Sequence, residues 1–168
     1  MKKRRSRNFT KMNDLQKKFF EEDVIRQRRY MRHPLHRYQK MKRYLHATEM
    51  ANIRKTNNVL DVGCGIGYQI SLISRKCGSY FGVDFSQTAI KYCMENFHNK
   101  KSKFIKADAL RLPFRKGFFD VVLLMDILEN TLFPEKILQE AKRVLKDDGR
   151  IVVSVPNVRS LYFSKKRY

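Results

Sequence analysis

Val59-Leu60-Asp61-Val62-Gly63-Cys64-Gly65-Ile66-Gly67 decides how the rest of this chain is read. A short apolar, β-branched run stops at a turn with glycine at alternate positions, and a helix-like segment follows. Without a Cβ, glycine lets the backbone bend tightly and approach a ligand closely. Such a strand–loop–helix corner is where open α/β sheets hold nucleotide-like ligands.

Working outward, three more segments repeat the pattern of a strand closed by an acid. Tyr80-Phe81-Gly82-Val83 leads to Asp84, with Ser86 placed to cap the next helix. Lys103 to Ala107 leads to Asp108, and Phe119 to Met125 leads to Asp126. In a parallel sheet these strand ends share one edge, and Asp61 sits near the end of the first. Asp84 lies about 20 residues beyond Gly63, the spacing of an acid that receives ribose hydroxyls. The glycines run G-x-G-x-G, however, and Tyr68 stands where a dinucleotide fingerprint needs its third glycine. Asp61 beside the loop disfavours a pyrophosphate and suits a ligand that carries an ammonium group.

Three longer stretches then make a resemblance. Leu60-Asp61-Val62-Gly63-Cys64-Gly65-Ile66-Gly67, Phe119-Asp120-Val121-Val122 through Leu128-Glu129-Asn130, and Arg143-Val144-Leu145-Lys146 through Val155-Pro156-Asn157 occur in order. Residues 58–157 resemble a class I S-adenosylmethionine-dependent methyltransferase of the type 11-like subgroup. The resemblance implies a Rossmann-like three-layer α/β sandwich, its mainly parallel sheet of about five strands ordered 3-2-1-4-5. It also implies methyl transfer from S-adenosylmethionine to an unidentified, small-molecule acceptor. Gly63, Cys64, Gly65 and Gly67 would line the methionine part, and Asp61 would hold its amino group. Asp84 would accept the ribose hydroxyls, Phe85 would lie on the adenine face, and Asp108 with Ala109 would read the adenine edge. Met125 and Asp126 would stand at the mouth. Asn130 occupies a position where relatives often carry His, so a general base, if one is used, falls to Asp126, Glu129, His33 or His36. Relatives also carry two further strands, and the eleven residues after Asn157 are too few for them. Residues 151–155 are therefore expected as an apolar edge strand open to a partner or to self-association.

The chain has 168 residues and a formal charge of +21. Residues 1–57 contribute 18 Lys/Arg against 5 Asp/Glu, so the excess concentrates in a basic leader. A field of that sign draws polyanions, which makes RNA or an acidic partner docked on the leader the alternative function, with catalysis impaired. The division expected is a helical leader over 1–55 and a cofactor-binding core over 56–168. Within the leader, residues 1–10 read as a basic arm, Met12 to Arg32 as a helix, and Leu35 to Lys55 as a second. Leu35, Tyr38, Met41, Leu45 and Met50 form the stripe expected to pack on the core. Further helices are expected at Ile66–Lys76, Gln87–His98 and Pro134–Lys146, the last stopped by Gly149, with a fifth strand at Ile151–Val155. Cys64, Cys77 and Cys93 form no framework or C-x-x-C pair, so a reduced, cytoplasmic protein is expected. No metal motif and no membrane-length apolar run is present.

Overall fold

A computed structural model of the protein describes residues 29, 32–97 and 100–157. The expected basic arm and nearly all of the first leader helix lie outside the described residues.

The elements run α1 (Pro34–Met50), β1 (Asn58–Val62), α2 (Ile70–Ile73), β2 (Ser79–Asp84), α3 (Gln87–Asn96), β3 (Ser102–Lys106), β4 (Phe119–Met125), α4 (Pro134–Val144) and β5 (Leu145–Ser154). All four strand pairings are parallel, and the sheet order is β3-β2-β1-β4-β5. The winding reverses at β1, which has β2 on one side and β4 on the other. Their carboxyl ends therefore open a crevice, the place where open α/β sheets bind ligands.

Alternation along each central strand feeds two cores. Val59, Tyr80, Val121 and Leu123 pack on one face beneath α1, α2 and α3, with Ala47, Ile73 and Ile90. Leu60, Val62, Val83, Val122 and Leu124 pack on the other, where Ile137, Ala141 and Val144 of α4 meet them at helical spacing. On that second face Arg143 closes the loop before β4. It forks onto Glu140 at 2.7 and 2.8 Å and donates to the carbonyls of Phe114 and Leu112. The neighbouring guanidinium holds the Glu140 carboxyl below its ordinary range.

Several expected elements are corrected. Pro34 opens α1 at its first turn, where a missing N–H costs nothing, and the helix stops at Met50 because Asn52 turns left-handed (φ 45°). Of the expected stripe on α1, only Met41 is half-buried and the rest is turned outward. Leu35, Tyr38, Leu45 and Met50 are exposed, whereas Tyr44, Ala47, Thr48 and Ala51 are buried. Ala47, Thr48 and Ala51 let the helix lie close to the sheet, with the Tyr44 ring also turned inward. Gly67 at φ 77° keeps the helix from starting at Ile66, and α2 is four residues long. α3 ends at Asn96. α4 ends at Val144 and passes straight into β5, so Gly149 does not stop a helix. It lies in a bulge of β5, between the pairings Phe119–Leu145 and Val121–Arg150. A Cβ on Gly149 would come within 2.6 Å of Leu145 Cγ. Among the described residues β5 pairs only with β4, and Val153 on it and Val155 just beyond it are exposed.

Candidate functional site

The crevice is built from the loop after β1. Gly63, Gly65 and Gly67 have φ of 74°, 52° and 77°, so this bend is closed to ordinary L-residues at three alternate positions. The N–H groups of Gly63 and Cys64 both donate to the carbonyl of Val83, at 2.8 and 3.0 Å, which ties the loop to the end of β2.

Asp84 completes that tie. Its Oδ2 accepts from the N–H of Gly65 and its Oδ1 from the N–H of Ser86, each at 2.8 Å. One half-buried carboxylate therefore joins the loops that follow two adjacent strands. Ser86 caps α3 by accepting from the N–H of Ala89 at 3.1 Å. Phe85 is half-buried beside them, with Lys106 Nζ 6.0 Å from its ring centre. The N–H of Ala107 donates to the backbone carbonyl of Asp84, which brings the end of β3 alongside. Asp108 lies two residues beyond β3, its Oδ1 accepting from the N–H of Leu110, and Ala109 stands half-buried in the same turn.

Asp61 points from β1 toward α1 and is 1% exposed. It accepts a 2.6 Å hydrogen bond from the Tyr80 hydroxyl. Burial pushes its pKa up to about 7; the Tyr80 bond opposes this, the Asp84 charge adds to it and Lys40 lowers it. A buried acid in that state is poised to take a positive group. Cys64 and Cys93 are buried thiols around the Gly65 carbonyl, and the hydrogen bond between them, followed by burial, pushes the Cys64 thiol up, away from nucleophilic use.

At the end of β4, Met125 is buried in the core and Asp126 follows with φ 58°. An aspartate held left-handed is uncommon and is supported here by its neighbours. The Asp126 N–H donates to the Ser154 carbonyl, and Asn130 Nδ2 donates to the Asp126 carbonyl. Its carboxylate receives Arg43 Nη2 at 2.5 Å, with the Tyr44 hydroxyl at 3.4 Å and Lys40 Nζ at 3.8 Å. Asp126 Oδ1 and Arg43 Nε are buried without a hydrogen-bond partner. Burial comes first, and the charges of both Asp126 and Asp61 next, in raising the Tyr44 hydroxyl, so the two acids share one neighbourhood under α1.

Lys40, Arg43, Tyr44 and Tyr80 thus join the site, and sequence reading passed over them. The spacing 40, 43, 44, 47 along one helix face was the available signal. Glu129 lies in a short 3-10 turn (Leu128–Asn130), its carboxyl raised by partial burial. His33 and His36 stand at the start of α1 with ring centres 4.5 Å apart. Among the described residues no three His, Cys, Asp or Glu side chains cluster as a metal site, and no helix is long and apolar enough to cross a membrane.

Residues 60–153 match the family described as "Methyltransferase domain". The chain is 33% identical over 129 residues to the demethylmenaquinone methyltransferase of Lactococcus lactis, covering 73% of this chain and 48% of that protein. It is 31% identical over 112 residues to a ubiquinone/menaquinone biosynthesis C-methyltransferase of Azotobacter vinelandii, covering 62% and 44%. The chain thus spans about half the length of these relatives. Among solved structures it is similar to the YcgJ protein of Bacillus subtilis, with 25% identity, TM-score 0.63, and 67% and 50% of the two chains covered. It shares its fold with a S-adenosylmethionine-dependent methyltransferase of Thermotoga maritima, with 22% identity, TM-score 0.72, and 89% and 66% covered. The matched family model spans the glycine loop, the acid-closed strands and β5 almost to its end, and the chain belongs to the class I S-adenosylmethionine-dependent methyltransferase family.

Proposed function

We propose that the chain binds S-adenosylmethionine in the crevice at β1, β2 and β4 and transfers its methyl group to a small-molecule acceptor. The observation that carries this is the Gly65–Asp84 tie, a glycine bed and an anchored carboxylate within reach of buried Asp61. The residues fit the cofactor's chemistry: a bare backbone bed, an acid for hydroxyls, and a buried acid that gains from a positive partner. When bound, the cofactor supplies a methyl group already activated by a sulfonium.

In this reading Asp84 accepts the ribose hydroxyls, as an ionised carboxylate can in bidentate fashion. Asp61 faces the ammonium. Gly63, Cys64, Gly65 and Gly67 bed the methionine chain, Phe85 lies on the adenine, Asp108 and Ala109 meet its edge, and Met125 lines the mouth. Orientation of the acceptor can contribute most of the rate enhancement. Asp126 is the nearest candidate to take a proton, ahead of Glu129, His33 and His36, because it stands at the mouth under α1. The two relatives act, by their names, on quinone precursors, which supports a small ring-bearing acceptor here. The three free, buried cysteines fit a reducing compartment such as the cytoplasm.

The division into a leader over 1–55 and a core over 56–168 belongs to the same proposal, with α1 as the part of the leader seated on the core. The charge of residues 1–57 favours RNA or an acidic partner as a second ligand of the leader, and the exposed side of β5 favours pairing with another strand. Isothermal calorimetry with S-adenosylmethionine and S-adenosylhomocysteine tests the main reading. Saturable heat at micromolar ligand is expected; folded protein that gives none at high micromolar ligand overturns it.

A further inference from the structure

A second concavity lies on the flank of the glycine loop, between the start of α1, residues 66–71 and the far end of α3. It is an open cleft of about 290 Å³. Of the residues placed above around the cofactor, only Gly67 borders it. That volume is at the small end of ligand sites, which run roughly 300–1,000 Å³ with mostly apolar walls and a few placed polar groups.

The walls have that composition. Tyr68, Tyr92 and Phe97 line the cleft with Met41 and the buried Ile66. Three aromatic rings and a methionine converge on one half-open space, a surface suited to a flat apolar body. The polar groups are of one sign. Arg32 and Arg37 border the cleft and are exposed, and no acidic residue lines it. Among the described residues neither guanidinium has a carboxylate partner, although carboxylates hold the guanidinium groups of Arg43 and Arg143. A third cation stands beside the wall, Lys40 Nζ lying 5.3 Å from the Tyr68 ring centre.

From this we infer that the cleft is a second ligand site, distinct from the cofactor crevice, for a small aromatic molecule carrying a phosphate or carboxylate. The rings take the flat body by stacking. The two arginines take the anion, for which a guanidinium's forked donors are the matching shape. Neither half suffices: the apolar walls alone are small, and exposed arginines alone hold anions weakly in salt.

The test uses the whole 168-residue chain, whose lack of tryptophan leaves little protein background for naphthyl fluorescence. The probes are 1-naphthyl phosphate, 2-naphthoate, uncharged 1-naphthol and inorganic phosphate, each titrated with and without saturating S-adenosylhomocysteine. One or both of the anionic naphthyl probes should bind at least tenfold more tightly than naphthol or inorganic phosphate; which of the two does so identifies the anion. S-adenosylhomocysteine should not displace the bound probe. The double variant Arg32→Gln/Arg37→Gln should weaken the probe about tenfold, and Tyr92→Ala several-fold, with circular dichroism unchanged. Displacement by S-adenosylhomocysteine, equal binding of naphthol, or unaltered binding by the arginine variant overturns the inference. If the cofactor analogue itself does not bind, the methyltransferase proposal fails while the probe titration still decides this one.

Discussion

The Tyr80 hydroxyl donates a 2.6 Å hydrogen bond to Asp61 Oδ2 where both side chains are essentially inaccessible to water. That bond alone would favour the ionised acid, yet burial dominates and lifts Asp61 from an ordinary value of 3.8 to about 7. Between those values the folded chain keeps a proton that the unfolded chain has released. Folding therefore takes up a proton, and stability falls as pH rises from about 4 to about 7. Asp61→Asn, which still accepts from Tyr80, should gain on the parent as pH rises, by more at pH 8 than at pH 5. At about 1.4 kcal/mol per pKa unit, the gain should fall in the range of roughly 1–4 kcal/mol. Urea denaturation at the two pH values measures it, and a difference that does not change with pH contradicts the buried-acid account.

Asp84 holds two backbone N–H groups from different loops, so its removal loosens the bed as well as deleting an acceptor. Asp84→Ala should weaken S-adenosylhomocysteine by about 10- to 100-fold, a loss of roughly 1.4–2.7 kcal/mol. Asp84→Asn should fall between the two, since its amide nitrogen confronts one of those N–H donors. Calorimetry reads both, and parental affinity in the alanine variant would remove Asp84 from the site.

Gly67 is constrained twice, by φ 77° and by Phe97, whose Cε2 would lie 2.5 Å from an added Cβ. Gly67→Ala should cost roughly 1–2 kcal/mol for the left-handed backbone, with the clash adding to it. Pairing it with Phe97→Ala should recover the clash and leave the backbone cost, so the two changes should be non-additive by about 1 kcal/mol. Chemical denaturation of the two single variants and the double variant completes the cycle.

Arg43 and Asp126 fasten α1 over the end of β4 through side chains that remain partly open to solvent. Screening therefore limits the pair to about 1 kcal/mol or less. Arg43→Ala should change global stability little, while amide exchange within Pro34–Met50 quickens. Unchanged exchange in that helix would show that Tyr44 and Ala47 packing alone seats it.

Some of this was legible without coordinates because it is local. Alternate glycines dictate a left-handed bend, Ser86 caps a helix from one position, and Asp84 closes its strand. The face of α1 was not legible, because apolar periodicity marks Leu35, Tyr38 and Leu45 as the inner stripe. What buries a residue here is its direction over the sheet: Tyr44, Ala47, Thr48 and Ala51 face it, whereas Leu35, Tyr38 and Leu45 point to solvent. The start of β5 at Leu145 was hidden for a related reason: a bulge opposite β4 depends on its partner strand, and its own residues read as helix end and turn.

By itself, the order of residues determined the glycine corner, the acids at its rim, the family and hence the strand order, since each rests on short-range chemistry or motif spacing. Only the tertiary structure decided which acids are alike. Asp84 is anchored by amides, Asp61 is buried against a tyrosine, and Asp126 is held left-handed beneath an arginine. Composition cannot separate three aspartates at three strand ends. Burial and neighbouring charge differ among them, and both arise from segments up to 83 residues away along the chain.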